Sequence, residues 1–481
     1  MSQSENPCRT RPRFSRRGFL AGAAIGAAGA YAVTALPGKL FRDSERPPWI
    51  SEYYVNGYWI ESAGLSRQPP NPPLLQTKTQ ADIAIIGGGF TGLASAYHLA
   101  RRFPNKKIIL LEAARCGYGA SGRNGGQVVP VHEVVGEIYK KEGPEAAQAF
   151  YRVNRQGLAL VQELVQEHGI ACDLENTGIL VAAFSENDAK ALAKSHETAK
   201  AMGRESRLLN RDEIRRELAT DRYWAGWRIS EGAIVNPAKL ALGMKTLVQS
   251  LGVEVFEQTK VMRLRPGARV RIETEFGEVI ADAAVIGTNG YSHALGLFRR
   301  RIIPLCNYVI ATEPLSPARL ESIGWKGREA VWDTRTEFDY LRLSADNRIV
   351  IGGERAPYFF QNGFSTGNYK PSLAMLEESL LQTWPQLKGI QFTHRWGGTM
   401  AFTLDFLPTI GVMGDAKNIY YGVGYSGEGL GWTQLAGKII SQLYAREETE
   451  LTKVRLVNRT PPYLPPEPLR YLGIQLVKRL L

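Results

Sequence analysis

Short apolar runs separated by glycine turns and helical segments dominate the chain from about residue 80 onward. Residues 83–86 and 108–111 are uninterrupted apolar runs, as in strands buried on both faces of a parallel sheet. The first run breaks into Gly87-Gly88-Gly89-Phe90-Thr91-Gly92 and a helix-like segment, and the second ends in Glu112. This order predicts a strand, a glycine turn, a helix and a second strand, as at the start of a dinucleotide-binding domain.

The middle of the chain predicts further helices and a second kind of sheet. Apolar spacing and the capping residues Ser185, Asn210 and Asn236 predict four helices. They cover residues 144–168, 185–202, 210–218 and 237–250. "GILVAAF" predicts a strand, and alternation in "FDYLRLS" and "RIVIGG" predicts antiparallel pairing. The expected fold class is α/β with α+β, a Rossmann-like nucleotide domain interleaved with an antiparallel-sheet substrate domain.

This interleaving divides the chain into discontinuous segments. Residues 1–42 are predicted to form a leader, and residues 43–79 a linker that includes the proline-rich stretch 69–73. The nucleotide domain is predicted to comprise residues 80–128, 232–305 and 395–450, and the substrate domain residues 129–231 and 306–394. Residues 451–481 would form a C-terminal extension. The extension ends in an amphipathic helix, with Leu472, Leu476, Val477, Leu480 and Leu481 on one side and Gln475, Lys478 and Arg479 on the other. That helix could dock onto its own domain or lie on a membrane surface.

The leader has the layout of an export signal. Arg16 and Arg17 precede Phe19, Leu20 and an uncharged stretch rich in alanine and glycine, a pattern typical of bacterial twin-arginine signals. A basic tail without a targeting role is the alternative. If the signal is real, the protein is exported by the twin-arginine translocase to an extracytoplasmic compartment, with or without an N-terminal anchor.

Charge and cysteine content exclude several classes of function. Residues 1–42 carry +6 of the formal net charge of +12, and the remainder shows no dense basic run, which argues against nucleic-acid binding. The four cysteines include no CxxC pair and the six histidines no HExxH spacing, so no metal site is expected.

The glycine pattern indicates which cofactor the nucleotide domain binds. Gly87 permits a sharp turn, Gly89 a close approach to a pyrophosphate and Gly92 close helix packing, while Glu112 could accept both adenosine ribose hydroxyls. These features fit NAD and FAD equally. The continuation "GYGASGRNGGQ" favours a loop along a flavin, with a mobile surface loop as the alternative. A second glycine turn, "GVGYSGEGLG", would meet the first if the helix after it closes over the flavin.

Taken together, the ordered motifs resemble the D-amino-acid oxidase (DAO-type) family of FAD-dependent oxidoreductases, and within it the γ-glutamylputrescine oxidase-like group. They are "IIGGGFTGLASAYHLA", "GASGRNGGQ", "GTNGYS", "ATEPL", "RIVIGGE", "RWGGTMAFTLDFLPTIG" and "YYGVGYSGEGLG". The resemblance covers residues 80–465. Glu428 departs from that group, which often carries histidine there, so the same substrate is not assured.

The resemblance implies a set of cofactor-binding positions. They are Gly87, Gly89, Phe90, Thr91, Gly92, Glu112, Ala113, Ser121, Arg123, Asn124, Gly125, Gly126, Gln127, Val261, Thr288, Asn289, Gly398, Gly424, Ser426, Gly427 and Gly429. FAD is expected to bind non-covalently, because "GYGASGRNGG" holds no histidine and "RWGGTMAFTLD" no cysteine.

Four further residues are candidates for facing the substrate. Tyr340 and Arg342 lie two apart on one predicted strand and so share a face; Arg342 could bind a substrate carboxylate or serve in a structural salt bridge. Trp396 and Tyr425 flank glycines and could wall a cationic amine, although Trp396 could equally pack in the core.

The resulting expectation is an FAD-dependent oxidoreductase that converts a C–N bond of an amine or amino acid into an imine. Its partners would be that small molecule and an electron acceptor, either oxygen or a quinone-type carrier. Since a fold does not fix a substrate, the alternatives are a flavin dehydrogenase of a hydroxy acid and a non-catalytic flavin-binding protein.

Overall fold

The computed structural model describes residues 57–74, 78–130, 134–353, 356–363 and 368–480. The predicted leader and its Arg16-Arg17 pair lie outside the described residues. The helices are α1 Tyr58–Ser62, α2 Phe90–Arg102, α3 Val134–Glu142, α4 Pro144–His168, α5 Glu186–Ala201, α6 Arg211–Leu218, α7 Pro237–Ser250, α8 Pro317–Ser322, α9 Lys370–Thr383, α10 Gly429–Tyr444 and α11 Leu469–Leu480.

The strands are β1 Lys78–Ile86, β2 Ile108–Leu111, β3 Gln127–Val128, β4 Ile179–Ala183, β5 Ser206–Leu209, β6 Ala225–Ile229, β7 Ala233–Ile234, β8 Glu254–Phe256, β9 Val261–Arg265, β10 Val270–Thr274, β11 Glu278–Ile286, β12 Ile303–Thr312, β13 Ala330–Asp333, β14 Asp339–Leu343, β15 Ile349–Gly353, β16 Phe392–Phe402, β17 Thr409–Met413 and β18 Ile419–Val423.

The first sheet is the predicted nucleotide-binding sheet. Its strand order is β17-β18-β11-β1-β2-β8, and the pairs from β18 to β8 are parallel. Strand β10 pairs with β11, and β9 pairs with β10. Both faces are covered: Ile83 and Ile85 pack in one hydrophobic cluster, and Ala84 and Ile86 pack in another. Burial on both faces explains why β1 is apolar at consecutive positions.

The second sheet is largely antiparallel, as predicted, and has the order β16-β12-β15-β14-β13-β4-β6-β5. The pair β13–β4 is parallel. Strand β16 pairs along its length with β12, so residues 395–402, which the sequence analysis placed with the nucleotide domain, lie in the second sheet. The mixed α/β fold class is confirmed.

The helices that were predicted from capping residues are confirmed. Ser185 accepts a hydrogen bond from the Asp188 amide at the start of α5, and Asn210 forms a capping box with Glu213 at the start of α6. Asn236 caps α7, whose first residue is Pro237.

The C-terminal helix α11 packs onto the protein through part of its apolar surface. Ile474 and Val477 are buried, whereas Leu472 and Leu476 are 38% and 46% exposed. Of the residues that the sequence analysis grouped on one apolar side, Val477 is therefore buried while Leu472 and Leu476 remain at the surface. None of the helices among the described residues combines the length and apolarity that a bilayer crossing requires.

Candidate active site

One elongated cavity of about 1310 Å³ lies between the two sheets. It runs from the carboxyl ends of β1, β2 and β11 to the inner face of the second sheet. Parallel sheets bind ligands at this edge. Its volume exceeds the roughly 300–1,000 Å³ of an ordinary small-molecule site, which leaves room for a dinucleotide and a second ligand.

The glycine turn after β1 forms one end of the cavity. Gly87 has φ +102°, and a Cβ there would lie 2.9 Å from the Gly287 oxygen. The first helical residue, Phe90, donates its amide to Ser121 Oγ at 2.8 Å, and Gly89 caps α2 without any side-chain bond. The start of α2 therefore presents backbone N–H groups and a positive dipole end to the cavity, which suits a pyrophosphate.

Glu112 follows β2 in the same wall. Its two carboxylate oxygens accept the amides of Gly88 and Ala114 at 2.7 and 2.8 Å. The protein around the carboxyl group raises its pKa to about 7 by burial, and only the two amides oppose the rise. A cavity-facing carboxylate of this kind is ready to accept further hydrogen bonds, as the hydroxyls of a ribose would donate.

The glycine-rich loop over residues 119–127 crosses the middle of the cavity. Asn124 braces it from within, because its amide group donates to Ala120 and Ser121 and its oxygen accepts the Gly126 amide. At Gly125 a Cβ would lie 2.6 Å from the Tyr340 ring, so a side chain there would collide with the second sheet. Because Gly125 has no side chain, the loop can approach the second sheet closely, and a flat ring could be enclosed beside them.

The two glycine turns at opposite ends of the sequence meet, as predicted. The Thr91 and Tyr425 hydroxyls are 2.8 Å apart, and the Gly424 amide donates to Asn289 Oδ1 at 3.1 Å. Helix α10 packs closely on α2: a Cβ at Gly437 would lie 2.4 Å from the Ala94 carbonyl carbon. This packing brings the start of α10, with Glu428, into the cavity wall.

The inner face of the second sheet closes the other side. Tyr340, Trp332, Val181 and Trp227 stand opposite one another on β14, β13, β4 and β6, and all four line the cavity. The Tyr340 hydroxyl donates to Asn307 Oδ1 at 2.8 Å, and the Trp332 indole N–H donates to Gln127. These bonds fix an aromatic surface beside the glycine-rich loop.

Most predicted cofactor residues come together in this cavity. Eighteen of the twenty-one line it, namely Gly87, Gly89, Phe90, Thr91, Glu112, Ala113, Ser121, Arg123, Asn124, Gly125, Gln127, Val261, Thr288, Asn289, Gly398, Ser426, Gly427 and Gly429. The other three, Gly92, Gly126 and Gly424, lie behind the wall, where they allow close backbone packing: a Cβ at Gly92, for example, would lie 1.8 Å from the Gly87 oxygen.

Two of the four substrate candidates do not line the cavity. Arg342 is fully buried, donates to the Gly126 and Val235 oxygens and lies 5.0 Å from the Trp59 ring, so of its two alternatives the geometry favours the structural one. Trp396 donates to the Arg123 oxygen at 2.9 Å and packs in a hydrophobic cluster, which favours core packing over a wall for the substrate. Tyr340 and Tyr425 do line the cavity.

Comparison with known proteins identifies the family. The sequence model described as "FAD dependent oxidoreductase" (DAO) matches residues 82–443. The chain belongs to this family. It is 32% identical over 396 residues to gamma-glutamylputrescine oxidoreductase of Escherichia coli (81% of this chain, 89% of the relative). It is 31% identical over 408 residues to the probable oxidoreductase OrdL of Haemophilus influenzae (83% of this chain, 90% of the relative).

Solved structures of other proteins have the same fold as this chain. The glycine oxidase of Geobacillus kaustophilus matches with a TM-score of 0.65 at 20% identity, over 77% of this chain and 96% of its own. L-proline dehydrogenase from P. horikoshii matches with a TM-score of 0.66 at 20% identity, over 78% and 96%. The family match makes the chain an FAD-dependent oxidoreductase. Its cavity fits FAD, since the glycine cradle and helix start suit the pyrophosphate and Glu112 suits the ribose.

Several residues of the site were not predicted from the sequence. Asn307 and Trp332 support the aromatic face, and Arg204 lines the far end of the cavity. Each is a single polar or aromatic residue on an ordinary strand or turn. The strand alternation that placed Tyr340 could have placed Trp332 once the pairing of β13 with β14 was known.

Proposed function

We propose that this flavoenzyme oxidises the C–N bond of an amine or amino acid to an imine, which water then hydrolyses. The observation that carries the proposal is the cavity wall, which includes Tyr340 and Trp332 on the second sheet and Tyr425 and Glu428 in the turn before α10. Bound FAD would accept a hydride equivalent, that is two electrons and one proton, from the substrate carbon, and the substrate nitrogen would lose a proton to solvent as the C=N bond forms. The relative named gamma-glutamylputrescine oxidoreductase supports an amine as substrate.

The residues of the wall have separate tasks in this proposal. The aromatic faces of Tyr340 and Trp332 would hold the apolar part of the substrate and exclude water, and they attract a cationic group. Glu428 would accept a hydrogen bond from the amine and orient it with its carbon towards the flavin. No covalent nucleophile is needed for this chemistry, because the flavin takes the electrons.

The test is anaerobic mixing of the purified holoenzyme with primary amines (γ-glutamylputrescine among them), amino acids and hydroxy acids. Bleaching of the flavin by amines or amino acids, with a carbonyl product, is expected. In Glu428→Gln the KM for the amine should rise by roughly tenfold, as for loss of a charge-assisted hydrogen bond. The control is Glu448→Gln, an 83% exposed carboxylate beyond α10. Bleaching by hydroxy acids alone would reject the proposal.

We further propose export by the twin-arginine translocase, with oxygen or a quinone reoxidising the flavin. The leader sequence with Arg16 and Arg17 supports the export route. The exposed Leu472 and Leu476 of α11 support a peripheral contact with a membrane surface, where a quinone would be available. Comparing flavin reoxidation by oxygen and by a soluble quinone in stopped flow tests the acceptor.

A further inference from the structure

The first described segment of the chain is bonded to both sheets. Residues 57–65, which we call the N-terminal strap, consist of α1 and the turn that follows it. The Tyr58 hydroxyl donates to Asp346 Oδ1 at 2.5 Å, in the turn between β14 and β15 of the second sheet. At the other end of the strap, the Leu65 oxygen accepts a hydrogen bond from the Arg115 guanidinium at 2.6 Å, just after β2 of the nucleotide sheet. The strap therefore ties the two halves of the molecule together.

Trp59 is the buried residue at the centre of the strap. Its side chain is 1% exposed and packs in one hydrophobic cluster with Trp396. The two ring centroids are 6.4 Å apart, with the rings edge to face, and the guanidinium carbon of Arg342 lies 5.0 Å from the Trp59 ring. The next residue, Ile60, reaches the glycine-rich loop itself, because a Cβ at Gly122 would lie 3.5 Å from Ile60 Cδ1.

Both polar neighbours of Trp59 hold the backbone of the glycine-rich loop. The Trp396 indole N–H donates to the Arg123 oxygen at 2.9 Å, and the Arg342 guanidinium donates to the Gly126 oxygen at 3.1 Å. These two oxygens lie on either side of residues 124 and 125, where the loop lines the cavity. Trp59, Trp396 and Arg342 do not line the cavity. They support the loop from behind.

This support depends on the volume of the Trp59 ring. Close packing leaves no room for Trp396 and Arg342 to shift while the ring is present, whereas a smaller side chain would leave a cavity into which both could move. A binding constellation needs its groups held within roughly 0.5 Å. The strap precedes residues 82–443, which the family model matches, so the family match says nothing of its role.

We propose that Trp59 is a positioning residue for FAD, which holds Trp396 and Arg342 against the glycine-rich loop and through them sets the loop conformation that binds the flavin. The inference goes beyond the proposed amine oxidation and does not depend on the substrate. Because linkage between two events is reciprocal, bound FAD should in turn stabilise the docked strap.

The first test is titration of full-length apoprotein with FAD, followed by flavin fluorescence. In Trp59→Leu the Kd for FAD should rise by about ten- to hundredfold, as when a residue that orients ligand-binding groups is lost. Trp59→Phe should keep the Kd within about threefold of wild type, because phenylalanine retains a ring between the same neighbours. The Trp59 indole N–H has no acceptor among the described residues, so phenylalanine removes no hydrogen bond that the structure shows.

The matched control is Trp325→Leu. Trp325 is 2% exposed, has no acceptor for its indole N–H among the described residues, and stacks on Trp384 at 5.5 Å in a hydrophobic cluster away from the cavity. Its replacement should lower the melting temperature of the apoprotein to an extent similar to Trp59→Leu but leave the Kd for FAD within about twofold. Titrations are made well below both melting temperatures. An equal rise of the Kd in the two variants would reduce the role of Trp59 to general stability and overturn the proposal.

A double-variant comparison tests whether Trp59 acts through Trp396. Trp396→Phe removes the bond to the Arg123 oxygen and keeps a ring. If Trp59 acts by holding that indole, the combined Trp59→Leu and Trp396→Phe variant should raise the Kd by much less than the product of the two single increases. A fully multiplicative increase would contradict the proposed route.

Hydrogen exchange gives a readout that needs neither turnover nor a variant. In the wild-type protein, FAD should slow the exchange of the amides of residues 57–65, because the loop and the strap stabilise each other. Trp59→Leu should lose this added protection. Exchange in the wild-type strap that is the same with and without FAD would overturn the proposal, even if Trp59→Leu does not yield folded protein.

Discussion

Glu112 carries two hydrogen bonds from backbone amides and still has a raised pKa. The amides favour the carboxylate, but the enclosure of the group by protein disfavours it more strongly. In the absence of FAD the group is therefore divided between its two protonation states near neutral pH. Hydroxyl donors from a ribose would favour the ionised form, so FAD binding is expected to release a proton.

The first prediction concerns the pH dependence of FAD affinity. Because the empty site has a carboxyl pKa of about 7 and the occupied site a lower one, the affinity should be constant above that pH and fall below it. The fall should reach up to about tenfold per pH unit. Titration of apoprotein with FAD between acid and mildly basic pH measures this. Glu112→Gln, which cannot titrate, should bind FAD with little pH dependence over this range, and an unaltered pH profile in this variant would contradict the assignment.

The second prediction concerns retention of the cofactor. Glu112→Ala removes the acceptor for the ribose and should purify with much of its FAD lost, while excess FAD restores flavin content and activity. The expected loss is about 1.5–3 kcal/mol of binding free energy, as for a hydrogen bond to a charged group. Flavin-to-protein absorbance of the purified variant is the measurement. Full flavin occupancy would show that the nucleotide site has been misplaced.

At the scale of elements, a buried ion pair joins four segments beneath the nucleotide site. Lys245 of α7 lies 3.1 Å from Glu257, and the two side chains are 10% and 0% exposed. Glu257 also accepts the amides of Asn71, in the linker, and Cys116, after β2. The carboxylate therefore connects the linker, α7, the end of β8 and the start of the glycine-rich loop.

The third prediction follows from this pair. Lys245→Met should lower the free energy of unfolding by about 3–5 kcal/mol, because it leaves the Glu257 charge buried without its partner. Adding Glu257→Gln should recover part of the loss. Denaturant unfolding of the apoprotein is the measurement. The matched control is Lys190→Met, which breaks the exposed Lys190–Glu186 pair of α5 and should cost less than about 1 kcal/mol. Equal losses in the two lysine variants would contradict the prediction.

Elements with local signals could be predicted from the sequence. Asn236 and Pro237 fix the start of α7 by a side-chain cap and a preset backbone angle, and neither depends on distant residues. The strand and turn at Gly87 are equally local. The buried face of α11 and the sheet that β16 joins had no such local signal, because they depend on which surface the rest of the fold presents.

In the candidate site, too, the residues with a local sequence signal could be predicted and the others could not. The cofactor positions were predicted from glycine motifs, in which the backbone conformation fixes the spacing of the glycines. Most of the residues predicted in this way line the cavity. Arg342 shares a strand face with Tyr340, but the strand runs on beneath Gly126, where a long side chain reaches backbone oxygens and not the cavity. The place of Arg204 in the cavity wall carried no local signal, since it lies against the rings of Tyr151 and Trp227, one of which is distant along the sequence.

At the scale of the whole molecule, the cavity is walled by both sheets and by segments from residue 86 to residue 478. Among the described residues, its lining includes neither histidine nor cysteine. Cys116 lies behind the glycine turn, where burial raises its pKa well above the usual range and keeps the thiol protonated. The cavity wall among the described residues therefore offers neither an imidazole nor a thiol for a covalent bond to the flavin.

The fourth prediction is that FAD is held without a covalent bond. Acid precipitation of the holoenzyme should leave a yellow supernatant and a colourless pellet, with about one flavin per chain in the supernatant. A yellow pellet would contradict this, and Cys116→Ser and Cys306→Ser would then show which thiol carries the flavin.

The last prediction concerns export. A cofactor enclosed by segments from both ends of the chain must be inserted while the protein folds, and FAD is made in the cytoplasm. An exported flavoenzyme of this kind would need a translocase that accepts folded cargo, which fits Arg16 and Arg17 in the leader. Replacing both by lysine keeps the charge but loses the planar guanidinium, and should leave active, flavin-loaded enzyme in the cytoplasm. Cell fractionation with flavin and activity measurements checks this, with the double replacement of Arg11 and Arg13 by lysine as the matched control. Equal export of both double variants would show that the paired arginines belong to a basic tail, and the proposal of twin-arginine export would be rejected. The flavoenzyme assignment would stand, because it rests on other residues.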